Sequence, residues 1–377
     1  MEQSYKTKNK IAIIGAGPSG IYCAINIILE FNNYNYSDYF IDIYDKSQPL
    51  NTLLPTGGGR CNITNAQSDL RTFISNYPRG EKFLYSIFSR HSNSDTINFF
   101  NSIGINTYSE DDLRIFPKSN SAKDVKNKLL NYLNKFNKTN FINKKINSIS
   151  QLKNYDAIII STGSKTSENI LKSIKQPYFE FRPSLCSLKI KNNIYPKGVS
   201  VKSLDGDFIF TNQGISGPLV YKISAQNALK EFPYQIKIQL FEYSKLKELV
   251  DKYPKKSIGN LVSSFIPKSL ARVIIKDYSK NACEVSKKEL ENLCSIEFCA
   301  IGHLKGEEIV NCGGVDLDSI DKNCKSKIKN NIWFCGEILN IDGYCGGFNL
   351  QNCWSSGYIV ALDVVKFILN KKGIKYV

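Results

Sequence analysis

The chain is poor in the residues that most often do metal or acid–base chemistry. Only two of its 377 residues are histidine, His91 and His303, and no two cysteines have CxxC spacing. A zinc site draws on closely spaced Cys and His ligands, so no metal is expected. His91 lies in a polar stretch and is expected at the surface. His303 follows Ile301-Gly302 near the end of an expected strand, and neither histidine has a context that argues for catalysis. No uninterrupted apolar run approaches the roughly 20 residues that span a bilayer, so no membrane partner is expected. Lys6, Lys8 and Lys10 precede an apolar stretch as in a signal peptide. Gly15, Gly17, Pro18 and Gly20 interrupt that stretch, however, and no clear small-residue cleavage site follows. The eleven cysteines are odd in number and scattered over a long chain, which does not suit a disulfide scaffold. A reducing, cytoplasmic setting is the simpler expectation.

Acidic side chains are also scarce, 34 against 50 Lys and Arg, for a formal charge of +16. Such a charge can mark an acidic partner such as tRNA. The lysines are spread through a chain rich in Asn, Lys and Ile, with one denser stretch from Lys123 to Lys153. A solvated face is the plainer reading, so nucleic acid is not expected as a partner. A length of 377 residues suggests two or three domains with ample core.

What the chain does have is a fingerprint. Lys10 to Ile14 is a short apolar, β-branched run suited to a buried parallel strand, and it leads into Gly15-Ala16-Gly17-Pro18-Ser19-Gly20. Gly15 permits the tight turn, Gly17 lets the backbone approach a pyrophosphate, and Gly20 lets the next helix pack close to the strand. That helix, expected over about Ser19 to Phe31, aims its N-terminus at the phosphates. A second strand, Tyr39 to Tyr44, ends in Asp45, whose carboxylate can accept ribose hydroxyls.

Further along, Leu53-Leu54-Pro55-Thr56-Gly57-Gly58-Gly59-Arg60-Cys61-Asn62-Ile63-Thr64-Asn65 reads as a loop that something approaches closely, with a flexible linker as the alternative. Glu81 to Ile103 reads as one amphipathic helix and Asp124 to Phe136 as another. A strand at about Asn140 to Ile149 precedes a buried strand, Asp156 to Ile160, which ends at Ser161-Thr162-Gly163. Between Pro183 and about Val310 the pattern changes to short strands at Ser187–Ile190, Gly198–Val201, Asp207–Phe210 and Gln235–Phe241. A Lys-rich helical stretch from Lys245 to Leu293 and a returning strand at Ile296–Leu304 follow. This reads as an inserted α+β domain, residues 184–310, within a discontinuous domain of residues 1–183 and 311–377. Pro218 suits a helix's first turn, with Ser216 or Gly217 as its cap.

Near the C-terminus, Ile332 to Cys335 is expected as a strand. Gly336-Glu337 follows, then Asp342-Gly343-Tyr344-Cys345-Gly346-Gly347-Phe348-Asn349-Leu350-Gln351, opening a helix through Trp354, Gly357 and Val364. Glu337 can hydrogen-bond a ribitol hydroxyl, and the helix N-terminus can stabilise negative charge on a reduced flavin. An extended cofactor gripped at both ends suits FAD better than a nicotinamide dinucleotide.

Taken together, IAIIGAGPSG, GGGRCNITN, RIFPKSNSAKDV, DAIIISTG, FTNQGISGP and GEILNIDGYCGGFNLQNCWSSG resemble the BaiN/YhiN-like family of bacterial NAD(P)/FAD-dependent oxidoreductases, also called aminoacetone oxidase family FAD-binding proteins. They occur in the family's order and span nearly the whole chain. The resemblance implies an α/β fold: a Rossmann-type FAD domain with an inserted, partly β-barrel domain. It places Gly15, Ala16, Gly17, Pro18, Ser19 and Gly20 at the pyrophosphate and Asp45 at the adenosine ribose. It sets Gly59, Arg60, Cys61 and Asn62 close to the flavin, Thr162 and Gly163 at a cofactor-facing turn, and Gly336 and Glu337 at the ribitol. Gly347, Phe348, Asn349 and Leu350 fall at the isoalloxazine. The chain departs from the family at Ser164-Lys165-Thr166-Ser167-Glu168-Asn169, which is polar and glycine-poor, and at Phe210-Thr211-Asn212, where FTH is common.

The expected function is a non-covalent FAD enzyme that passes hydride through flavin N5 between a small organic substrate or NAD(P)H and an acceptor. A single GxGxxG argues against a separate NAD(P) domain and leaves NAD(P)H as a transient donor. A reductase and an amine-type oxidase are both compatible, and a flavin-bearing RNA-modifying or RNA-binding protein is the alternative. Cys61, Tyr344 and Asp342 are the candidate proton donors in motif positions. Cys61 beside Arg60 could be a low-pKa thiol, with a buried inert thiol as the alternative.

Overall fold

The computed structural model describes residues 8–164, 167–192, 194–306 and 308–376. Lys6, from the signal-peptide comparison, and Lys165-Thr166, from the polar loop, lie outside the described residues. The chain divides into two units, Met1–Phe181 with Cys312–Val377, and Arg182–Asn311.

In the first unit, strands β1 (Asn9–Ile14), β2 (Tyr39–Asp45), β3 (Thr139–Asn143), β4 (Ala157–Ile160) and β5 (Ile332–Phe334) form one sheet. Its order is β5-β4-β1-β2-β3, and every neighbouring pair is parallel. The sequence dictates this. Ile11 to Ile14 and Ala157 to Ile160 are buried throughout, as inner parallel strands covered on both faces require, and Ile332 to Phe334, at one edge, is buried as well. Strand β3, at the edge, is mostly exposed or half-buried and shorter than the Asn140 to Ile149 run expected. The chain leaves β1 towards β2 on one side and β4 lies on the other, so a topological switch point falls between the ends of β1 and β4.

Helix α1 (Pro18–Asn33) follows β1 directly, and α2 (Phe348–Lys371) closes the chain. Gly357 of α2 packs against the start of α1: a Cβ there would stand 2.8 Å from the Ser19 carbonyl oxygen. A small antiparallel sheet of Thr64–Asn65, Arg114–Pro117 and Thr107–Ser109 carries the glycine-rich motif.

The single helix expected over Glu81 to Ile103 is two, Glu81–Phe88 and Asn93–Ser102. Ser92 accepts from the Asp95 amide while Asp95 accepts from the Ser92 amide, and this capping box starts the second helix afresh. His91, expected at the surface, is instead 4 % exposed. Its Nε2 shares a 3.0 Å hydrogen bond with the Tyr22 hydroxyl, its Nδ1 lies 3.3 Å from Ser355 Oγ, and its ring lies 4.5 Å from that of Tyr358. A polar neighbourhood in sequence became a buried polar network in space.

In the second unit six strands run in the order Ser200–Ser203, Gly206–Phe210, Gly214–Ser216, Leu188–Ile190, Ser295–His303, Tyr234–Gln239. The Leu204 amide, in the turn after the first of these strands, donates to the Gln239 carbonyl at the end of the last at 2.9 Å. Gly217 caps helix Pro218–Asn227. The Lys-rich stretch forms four short helices, Tyr243–Lys252, Ile258–Val262, Lys268–Ile274 and Lys287–Leu293, which share a core of Leu246, Leu261, Leu270 and Leu290.

Candidate dinucleotide site

The turn after β1 is held from three directions. The Gly15 amide donates to the Tyr44 carbonyl at 2.8 Å, and the Ala16 amide donates to Asp45 Oδ2 at 2.8 Å. Ser161, just past β4, donates its hydroxyl to the Gly15 carbonyl at 2.9 Å. Gly15 has φ +106°, and a Cβ on it would run into the Ser161 carbonyl. A Cβ on Gly20 would run into the Gly15 carbonyl. Both glycines are demanded by protein packing alone.

Gly17 differs. It is the N-cap of α1 and makes no side-chain cap. A Cβ on it would meet only Thr52 Oγ1, at an ordinary 3.6 Å. Its missing side chain leaves room in front of the first turn of α1, whose opening amides have no acceptor within the helix. That open, donor-lined cradle fits a pyrophosphate. Asp45 accepts at Oδ1 from both the amide and the hydroxyl of Ser47 at 2.8 Å, besides holding Ala16. One of its roughly four lone-pair positions remains for a ribose hydroxyl.

The C-terminal segment returns to this turn. Ser19 Oγ donates to the Cys335 carbonyl at 3.3 Å, and Gly336, at φ +81°, packs so closely on Ser19 that no Cβ fits. The Gly336 amide donates to Ser356 Oγ of α2 at 2.9 Å. Gly163, at φ +67°, faces Glu337: a Cβ there would lie 3.7 Å from Glu337 Oε2. Thr162 shares a 2.7 Å hydrogen bond with Ser167. Ser19, Gly163, Gly336 and Glu337 are thus one neighbourhood, drawn from residues more than 300 positions apart.

The two outer motifs also meet. Gly347, at φ +95°, rests on the backbone of Thr64. The Asn62 amide, in the orientation its neighbours satisfy, donates to the Ile115 and Thr64 carbonyls and accepts from the Gly347 amide at 2.9 Å. Thr64 Oγ1 donates to Gln351 Oε1 at 2.6 Å, and Asn65 Nδ2 donates to the Gly346 carbonyl at 3.2 Å. Asn349 folds back on the turn before it, accepting from the Gly343 amide at 2.8 Å and donating to its carbonyl at 2.7 Å. Phe348 is buried, with its carbonyl accepting from Tyr77 at 2.6 Å, and Leu350 is half-buried. Gly58 and Gly59 take left-handed backbone, and Gly58 faces open space. Arg60 lies 3.9 Å over the Phe116 ring and binds Glu110 at 2.6 Å, and Arg114 binds the other oxygen of Glu110 at 2.8 Å.

The three proton-donor candidates separate. Cys61 is fully buried, and burial pushes its thiol up to about 12, the opposite of an activated thiolate. Asp342 is fully buried and forms a two-pronged ion pair with Arg79. Tyr344 is half-buried, with its amide donating to the Asn76 carbonyl at 2.9 Å. Arg79 and Tyr77 were not read from the sequence as parts of this region, whereas Ser161 and Gln351 fall inside motifs that were.

No group of three or more His, Cys, Asp or Glu able to hold a metal occurs among the described residues, and no helix among them is long and apolar enough to cross a membrane.

A doubly wound parallel sheet, a glycine turn opening onto a bare helix start and a C-terminal return to it define a Rossmann-type enzyme of the FAD-dependent oxidoreductase class. The chain belongs to the HI0933-like protein Rossmann domain family, whose model matches residues 9–363. It is 24% identical to the ribosomal RNA dihydrouridine synthase of Haemophilus influenzae over 93% of this chain and 97% of that one. It is 25% identical to the 3-dehydro-bile acid delta(4,6)-reductase of Clostridium scindens over 93% and 98%. Among solved structures, 3-ketosteroid delta1-dehydrogenase from Sterolibacterium denitrificans matches 95% of this chain and 100% of its own, with TM-score 0.52 and 10% identity, a likeness of fold.

Proposed function

We propose that this enzyme uses non-covalent FAD to reduce a carbon–carbon double bond conjugated to a carbonyl, with NAD(P)H as the transient donor. The observation that carries the FAD reading is the Gly17 cradle, open in front of α1 and closed on its far side by Gly336 and Glu337. FAD, when bound, supplies hydride transfer through N5. The chain's residues bind and orient. The opening turn of α1 receives the pyrophosphate, Asp45 a ribose hydroxyl, and Glu337 the ribitol. The start of α2, whose N-cap Gly347 makes no side-chain cap, favours negative charge beside it. Tyr344 is the proton donor, since Cys61 is enclosed and Asp342 is held by Arg79.

The substrate class rests on what two relatives have in common. A delta(4,6)-reductase and a dihydrouridine synthase both saturate a double bond conjugated to a carbonyl, one in a steroid and one in a uracil. The second reading, that the double bond lies in an RNA base, is favoured by the Haemophilus influenzae relative and by a further dihydrouridine synthase relative from Escherichia coli, 23% identical over 94% of this chain.

The test is anaerobic. NADH and then NADPH are added to the FAD-loaded protein, followed by 2-cyclohexenone or a uridine oligomer. Bleaching by a nicotinamide and recovery of the yellow band with either acceptor supports the proposal. Bleaching without recovery rejects the substrate class. Bleaching by amines alone makes the protein an amine oxidase.

A further inference from the structure

Among the second unit's short helices, the turn between Tyr243–Lys252 and Ile258–Val262 reads Lys252-Tyr253-Pro254-Lys255-Lys256, and all five residues are exposed. Tyr253 is 42 % exposed. The ammonium groups of Lys252 and Lys256 each lie 5.3 Å from its ring centre. Four lysines on or beside these helices are paired: Lys245 with Glu242, Lys247 with Asp251, Lys280 with Glu289 and Lys287 with Glu291. Lys252, Lys255 and Lys256 have no carboxylate within 4.0 Å among the described residues. The turn is not loose. The Ala282 amide donates to the Lys256 carbonyl and the Cys283 amide to the Pro254 carbonyl, each at 2.9 Å, so the ring and its flanking charges are presented on a fixed backbone. Pro254 also lines a cleft of about 390 Å³ shared with Lys247 and Lys287.

Lysine ammonium groups beside an exposed ring offer one surface that both a flat π-face and an anion can engage. Single-stranded nucleic acid suits both parts, since a base can stack on the ring while the backbone phosphates meet the ammonium groups. An anionic membrane suits it less well, because the five-residue turn holds no aliphatic side chain to enter the acyl region. We propose that this turn is a docking site for single-stranded RNA, with Tyr253 as the stacking platform and Lys252, Lys255 and Lys256 as the phosphate contacts. The proposal concerns binding alone and stands or falls apart from the redox reading.

The test measures fluorescence anisotropy of a labelled, uridine-rich oligoribonucleotide of about 15 nucleotides against the full FAD-loaded chain over a salt series. Replacing Lys252, Lys255 and Lys256 together by Ala is expected to weaken binding at least tenfold and to lower the slope of log affinity against log salt by about 2, at roughly 0.7 per phosphate contact. Tyr253→Ala is expected to weaken binding about tenfold with the slope unchanged, and Tyr253→Trp to restore it. A control removes the same charge from the first unit at the exposed Lys144, Lys145 and Lys153. Equal weakening by the control, no effect of either triple variant, or binding to phosphatidylserine vesicles but not to RNA would each overturn the proposal. Nicotinamide bleaching of the flavin, measured on the same variants, reports separately on the redox reading.

Discussion

Asp45 Oδ2 accepts the amide of Ala16 at 2.8 Å, so the end of β2 fixes the glycine turn at the end of β1. A charged acceptor in this position contributes about 1.5–3 kcal/mol. Asp45→Ala is therefore expected to lower FAD affinity tenfold or more, read by quenching of flavin fluorescence. An unchanged dissociation constant would mean that the turn holds its shape without Asp45.

Gly17 and Gly20 make a sharper pair. Gly20→Ala drives a methyl group into the Gly15 carbonyl and is expected to cost up to about 3 kcal/mol of stability. Gly17→Ala meets only Thr52 at an ordinary distance, so urea denaturation is expected to find it as stable as the wild type, yet with weakened FAD binding. If Gly17→Ala instead destabilised the fold and bound FAD normally, the open cradle would be a packing feature and not a site.

Arg79 and Asp342 form a buried ion pair 263 residues apart in sequence. Removing one partner strands the other charge, at a cost of about 3–5 kcal/mol. Arg79→Met and Asp342→Leu are each expected to destabilise the protein strongly, and the double variant by much less than their sum. Additive losses in a double-mutant cycle would show that the pair is not coupled.

His91 gives the protein a pH dependence of known sign. Burial is the main cause that holds its imidazole down, to about 4 from 6.5, against the pull of nearby Asp95 towards the charged form. Between these values the unfolded chain takes up a proton that the folded chain refuses. Stability is therefore complete above about pH 6.5 and falls as pH drops towards 4, by about 3 kcal/mol in all. His91→Gln removes the titration. Unfolding free energies at pH 5 and pH 7 are expected to differ less in the variant than in the wild type. Equal differences would locate the dependence elsewhere.

What could be read from the sequence was local. Gly15, Gly17 and Gly20 carry their geometry in their spacing, and Ile11 to Ile14 and Ala157 to Ile160 declare buried parallel strands by being apolar without alternation. The break in the Glu81 to Ile103 helix went unread because Ser92 and Asp95, its capping pair, sit within a continuous amphipathic pattern. The partners were not legible: nothing near Arg79 points to Asp342, nor anything near His91 to Tyr22. The gathering of Lys252, Lys255 and Lys256 around an exposed ring was equally hidden, because a net charge of +16 does not say where unpaired lysines collect.

The central claim is that the turn at Gly17 and the return at Gly336 and Glu337 hold FAD. The direct measurement is the absorption spectrum of the purified protein after incubation with FAD and removal of the excess, followed by release of the flavin on denaturation. The account predicts a yellow protein with one FAD per chain, all of it released on unfolding, and loss of the colour in Gly17→Ala. A colourless protein after loading, or colour that Gly17→Ala leaves untouched, would contradict it.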